Sequence, residues 1–261
     1  MIGIFDSGLG GLTVVRAVMK QLPEYDIVYF GDTARTPYGT KSRKTVIGYS
    51  FENTDFLVRM GAKMIIIACN TASSFATHQL SEAYKLPIFE VITPAIEKAL
   101  STTRKYKIGV IGTRATISSN IYEQKIMEQH PEAHVYSSAC PLLVPLVEEG
   151  WLSKPETRMI VKKYLLPLKG KQIDTLILGC THYPLLKDII QHKIGKRVNI
   201  IDSSISIASR IKTYIQNSPE IEASLSKNGQ SKFYVSDITD QFKLTAQKIL
   251  KKTIHLEHVI Q

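Results

Sequence analysis

The chain has 261 residues, 44% hydrophobic and 21% charged, a soluble globular profile with room for one large α/β domain or two small ones. No run of about 18 apolar residues occurs, and Met1-Ile2-Gly3-Ile4-Phe5 carries no basic segment ahead of a long apolar one, so neither a membrane span nor a secretory signal is expected and a cytoplasmic location is. The net charge of +10 points toward polyanions, but the basic residues are dispersed (Lys41, Arg43 and Lys44; Arg104, Lys105 and Lys107; Lys248, Lys251 and Lys252), and no aromatic-interleaved basic stretch accompanies them, so nucleic-acid binding is not expected as the primary role.

In chain order, Ile2 to Asp6 reads as a strand, residues 10–21 as a helix, Ile27 to Gly31 as a strand, 45–60 as a helix and Met64 to Cys69 as a strand. A break at Thr93-Pro94 precedes the next helix. Continuous apolar strands alternating with helices predict a parallel sheet covered on both faces. The pattern then restarts. Lys107 to Gly112 (KIGVIG) resembles Ile2 to Ser7 (IGIFDS), Val135 to Cys140 (VYSSAC) falls where a second strand belongs, and Thr175 to Cys180 (TLILGC) matches Met64 to Cys69 (MIIIAC). The first and last matches are offset by 106 and 111 residues, which predicts two similar α/β halves related by a pseudo-twofold axis. Residues 205–261 read as an amphipathic helix, a strand-like FYVSD at 233–237 and a helix from Asp240, and are expected to fold back on the first half. The expected domains are therefore 1–93 with 205–261, and 94–204.

Ligands of parallel sheets bind at the carboxyl ends of the strands. The first strand ends in Asp6-Ser7-Gly8-Leu9-Gly10-Gly11, which is either a tight strand-to-helix turn capped by Asp6 or a cradle whose free amides take a carboxylate. The second ends in Gly31-Asp32-Thr33 and a shaped loop through Pro37, Tyr38 and Gly39. The third ends in Cys69-Asn70-Thr71, where a helix N-terminus is expected to lower the thiol pKa.

The second half delivers Cys180-Thr181-His182 in the same way. A single cysteine beside a histidine fits a cysteine hydrolase. Two thiols at matching strand ends fit a different chemistry: if the halves face each other, one thiol removes a proton from a stereocentre and the other returns one to the opposite face. Hydroxyls and amides of Ser7, Asn70, Thr71 and Thr181 would stabilise the carbanionic centre, and Asp6 and His182 would orient or tune the thiols. Cys140 has no comparable polar follower and reads as structural; with no CxxC pair in the chain, no metal site is expected.

The stretches FDSGLGGLTV (5–14), GDTARTPYG (31–39), IACNTAS (67–73), GTRATISS (112–119), VPLVEEG (144–150) and LGCTHYPLL (178–186) resemble the glutamate racemase family, in order and over most of the chain. The resemblance implies cofactor-independent interconversion of L- and D-glutamate for peptidoglycan, between two α/β domains, in a homodimer. It implies that Cys69 and Cys180 are the acid/base pair, with the first facing the α-hydrogen of D-glutamate and the second that of L-glutamate. It implies that Asp6, Ser7, Pro37, Tyr38, Gly39, Asn70, Thr71, Thr181 and His182 bind glutamate. Asp6, Asp32, His182 and a glutamate of VEEG, Glu148 in preference to Glu149, would assist the thiols. An aspartate or other acidic amino-acid racemase is the alternative enzyme, and a nucleic-acid or gyrase-binding protein the alternative of another class.

Overall fold

A computed structural model describes residues 1–259. The first half runs β1 (Ile2–Asp6), α1 (Leu12–Gln21), β2 (Ile27–Gly31), α2 (Arg43–Arg59), β3 (Met64–Ile67), α3 (Asn70–Ala83) and β4 (Ile88–Glu90). The second runs α4 (Ile92–Thr102), β5 (Lys107–Gly112), α5 (Arg114–Ser118), α6 (Ile121–Gln129), β6 (His134–Ala139), α7 (Leu143–Glu148), α8 (Pro155–Gly170), β7 (Thr175–Gly179), α9 (Lys187–Ile194) and β8 (Asn199–Asp202). The chain closes with α10 (Ser203–Gln216), α11 (Pro219–Ser224), β9 (Ser231–Val235), α12 (Asp240–Leu250) and β10 (Leu256–His258).

The strands form two sheets, ordered β10-β9-β2-β1-β3-β4 and β6-β5-β7-β8, and every pairing is parallel. Within each half the order is second, first, third, fourth strand, so the repeat read from short sequence matches is a repeat of topology. The apolar strands β1, β2, β3 and β7 are buried along their whole length. They must be, because helices cover both faces. The first sheet packs α1, α10 and α12 on one face and α2 and α3 on the other. The second packs α4 and α6 against one face and α7, α8 and α9 against the other. β6, with its polar HVYSSA, occupies an edge and is only partly buried. The C-terminal segment extends the first sheet, β9 pairing with β2.

Two boundaries differ from the sequence reading in a way that matters. The third strands stop at Ile67 and Gly179, short of the cysteines expected to end them. Cys69 instead occupies the N-cap position of α3, where the backbone has turned toward the helix. Each thiol therefore stands clear of its sheet, at the carboxyl edge where the halves meet. Among the described residues no helix is long and apolar enough to cross a membrane.

Candidate active site

Asp6, at the end of β1, is fully buried and fixes the first loop. Its Oδ2 accepts the amides of Gly8 and Gly11 at 3.0 and 2.9 Å. Those two amides are consequently spent on Asp6, as in a capped turn, while Ser7 still lines the cavity. The Tyr29 hydroxyl donates to the Gly8 carbonyl and braces the same turn. Across the cleft, Thr181 Oγ1 donates to Asp6 Oδ1 at 3.3 Å, and Thr13 Oγ1 donates to the Thr181 carbonyl at 3.0 Å. Burial raises the Asp6 pKa, against the pull of His182, the two amides and Thr181.

Cys69 and Cys180 line one small cavity together with Ser7, Tyr38, Asn70, Thr71, Thr181 and His182, and with Pro37 and Gly39. The two thiols meet different electrostatics. Cys69 Sγ lies 3.7 Å from Ser7 Oγ. Burial and the nearby Asp6 carboxylate push its pKa up to about 12, outweighing the Ala72 amide and Ser7. The lowering expected from the helix N-terminus is thus reversed, because a dry site and an anion count for more than one turn's dipole.

Cys180 Sγ lies 3.7 Å from His182 Nδ1, and His182 Nε2 lies 3.1 Å from Glu148 Oε1. Burial opposes a charge on His182, but its bonds to Cys180 and Glu148 outweigh that and lift its pKa to about 10. A proton on each ring nitrogen would have a partner, the Cys180 sulfur at Nδ1 and the Glu148 carboxylate at Nε2. An acidic side chain thus stands near Cys69 and an imidazole beside Cys180.

Of the two glutamates in VEEG it is Glu148 that bonds His182. Asp32 sits elsewhere than its expected role beside the thiols. Its buried carboxylate accepts from Arg35 Nε at 2.9 and 2.7 Å, from Ser236 Oγ at 3.0 Å and from the Tyr38 hydroxyl, and none of these bonds is to a sulfur. Asp32 reaches the cavity only through Tyr38, which it holds in place with Asn53 on α2. Cys140 is buried, its Sγ 3.6 Å from the Ser138 carbonyl, and it does not line the cavity.

Two lining residues were not assigned by sequence reasoning, Thr113 and Val144. Thr113 caps α5, and its hydroxyl lies 3.0 Å from both Thr71 Oγ1 and Thr116 Oγ1. The repeat could have found it: adding the offset of 106 to Ser7 gives 113. Val144 sits on α7, which has no counterpart in the first half, so no repeat signal reaches it.

Close approach of the halves depends on two glycines. A Cβ on Gly10 would lie 2.3 Å from Thr181 Oγ1 and 2.5 Å from His182 Nδ1, and one on Gly39 would lie 2.6 Å from Thr113 Cβ. A groove of about 600 Å³ between α4 and α10 is larger than the thiol-lined cavity, but holds no thiol. Among the described residues no cluster of three or more His, Cys, Asp or Glu side chains is arranged to hold a metal ion.

A model of the Asp/Glu/Hydantoin racemase family matches residues 12–210. Over 256 residues the chain is 47% identical to a glutamate racemase of Persephonella marina, spanning 98% of this chain and 95% of that one. The chain belongs to the glutamate racemase family. Its structure agrees with that of the glutamate racemase isoform RacE1 from Bacillus anthracis at a TM-score of 0.93 and 39% identity, over 99% of this chain and 97% of that one. The glutamate racemase of Francisella tularensis, solved in complex with D-glutamate, agrees at a TM-score of 0.91 and 40% identity, over 99% and 96% of the two chains. Members of this family are amino-acid isomerases, and this chain is one of them.

Proposed function

We propose that this chain interconverts L- and D-glutamate by moving protons between the substrate α-carbon and two thiols, without a cofactor. The observation that carries the reading is the pair Cys69 and Cys180, delivered by corresponding strand ends of two halves into one cavity. In this proposal the reaction from L-glutamate begins with Cys69 protonated and Cys180 as thiolate beside His182, which the two thiols' different neighbours support. Cys180 as thiolate takes the α-proton of L-glutamate, and Cys69 gives its proton to the opposite face. The product is D-glutamate, leaving a thiol at 180 and a thiolate at 69. The reverse reaction exchanges these roles. Hydroxyl and amide donors in a water-poor cleft stabilise the negative charge that develops toward the substrate carboxylate.

The cavity measures only about 20 Å³, roughly one water molecule. Glutamate therefore enters when the halves part, and the bodies that move in this proposal are residues 1–93 with 205–261, and 94–204. Glutamate rather than aspartate is supported by near full-length identity to glutamate racemases. Supply of D-glutamate to peptidoglycan, a homodimer and a cytoplasmic location belong to the same proposal.

The test is turnover in D2O from each enantiomer. Cys69→Ser and Cys180→Ser are each expected to reduce racemisation at least about a thousandfold, while Cys140→Ser serves as the active control. Full activity in either active-site variant, or faster turnover of aspartate than of glutamate, overturns the reading.

A further inference from the structure

Asn70 opens α3 directly after Cys69, and its side chain is 2% exposed. A carboxamide has one accepting end and one donating end of nearly equal shape, so only its partners decide which way it points. Here the accepting end is held. The Tyr122 hydroxyl, on α6 of the other half, donates to Asn70 Oδ1 at 2.7 Å. Asn70 Nδ2 has no protein partner among the described residues, although it is buried in a side chain that lines the thiol cavity. A buried N–H left unpaired is costly. Its retention marks a donor kept for a group that enters the cavity.

Tyr122 is suited to this holding role. Burial, with Glu90 and Cys180 nearby, keeps its pKa well above the usual phenol range, so the hydroxyl remains a donor at any working pH. Its ring occupies space that Gly179 leaves open: a Cβ on Gly179 would lie 3.2 Å from Tyr122 Cε2 and 3.5 Å from the hydroxyl. Gly179 immediately precedes Cys180, so the residue that delivers the second thiol also seats the tyrosine that bonds Asn70, the residue after the first.

We propose that Tyr122 is a positioning residue that holds Asn70 Oδ1, and so aims Asn70 Nδ2 at a substrate carboxylate, only while the two halves are closed. The assignment rests on the glutamate reading for the identity of that carboxylate. Without the hydroxyl the carboxamide turns freely. Half of its orientations then present an oxygen to the substrate carboxylate.

Tyr122→Phe keeps the ring and removes the hydroxyl. KM for both glutamate enantiomers is expected to rise about tenfold, the worth of one hydrogen bond, with a much smaller change in kcat. In an Asn70→Ala background the same change is expected to leave KM where Asn70→Ala alone put it. An unchanged KM in the native background overturns the assignment, and so does an equal rise in both backgrounds, the signature of a merely structural role. A measurement on the native chain covers the case in which the variant does not fold. The Asn70 side-chain amide, resolved by selective 15N-asparagine labelling, is expected to shift when D-glutamate is added, and an unmoved signal overturns the proposal. Native turnover separates the two levels: glutamate racemisation with a normal Tyr122→Phe removes this inference alone, whereas a native chain inactive on glutamate removes the reading beneath it.

Discussion

Gly10→Ala is the sharpest probe of how the two halves meet. Gly10 lies in the turn between β1 and α1, and its φ is outside the left-handed region, so alanine suits the backbone there. The added carbon instead meets the other half, at 2.3 Å from Thr181 Oγ1 and 2.5 and 2.8 Å from His182 Nδ1 and Cε1. Ordinary contact begins near 3.4 Å, so Thr181 and His182 must retreat by about 1 Å. That movement breaks the Thr181 bond to Asp6, already 3.3 Å long, and draws His182 away from its place beside Cys180. A displacement of about 1 Å in a catalytic constellation costs about a hundredfold in rate. The expected result is a fall of that size in kcat/KM from either enantiomer, followed by the change in optical rotation or circular dichroism as glutamate racemises. The melting temperature should move little, since neither hydrophobic core loses a side chain. A variant with kcat/KM within about threefold of native refutes the argument that this glycine sets the interdomain approach.

Two further outcomes follow from the charges around the site. Glu148→Gln removes one of the two partners that hold the His182 proton, and the alkaline limb of the kcat/KM profile is expected to move down by about one pH unit. The sign for stability runs the same way. A raised histidine pKa contributes stability that is full below the unfolded value of 6.5 and is lost as pH rises toward about 10, so the native chain should lose melting temperature across that window and the variant over a narrower one. An unmoved limb in the rate profile counts against His182 as the charged neighbour of Cys180. Asp32→Asn leaves Arg35, whose side chain is 22% exposed, with weaker pairing, and loosens Tyr38. Stability in urea is expected to fall by about 2 kcal/mol and KM to rise with kcat nearly kept, whereas a fall in kcat alone would mean that Asp32 acts on a thiol directly.

The elements that carry the site were legible because parallel strands announce themselves. Apolar runs buried on both faces gave β1, β2, β3, β5 and β7 to within a residue or two, and the polar residues after β1, β3 and β7 marked the cleft. What sequence could not supply was the balance of forces at each atom. Cys69 at a helix N-cap looked like a lowered thiol, but desolvation and the proximity of Asp6 depend on packing against the end of the neighbouring strand β1, far earlier in the chain. Asp32 was expected beside the thiols through the family resemblance alone; its link to Ser236 spans 204 residues, and no local pattern reports it. Tyr122 carried no signal at all, since its partner lies in the other half.

The repeat also shows where the two halves must differ. Racemisation is symmetric in its substrates, and a symmetric scaffold could present two identical thiols. Two thiols alike in charge state cannot do the chemistry, because one has to begin as base and the other as acid. The sequence breaks the symmetry at two positions. The offset of 106 carries Asp6 onto Gly112, and the offset of 111 carries Thr71 onto His182. Each half therefore holds a charged group that its counterpart lacks. The anion sits near Cys69, whose pKa it helps to raise, and the imidazole bonds Cys180. Both depart from the repeat at the strand end or in the turn that follows, so the apolar strands behind them stay equivalent while the surroundings of the thiols do not. The repeat brings the two sulfurs into one cavity, and the two unmatched residues give them different electrostatic neighbours.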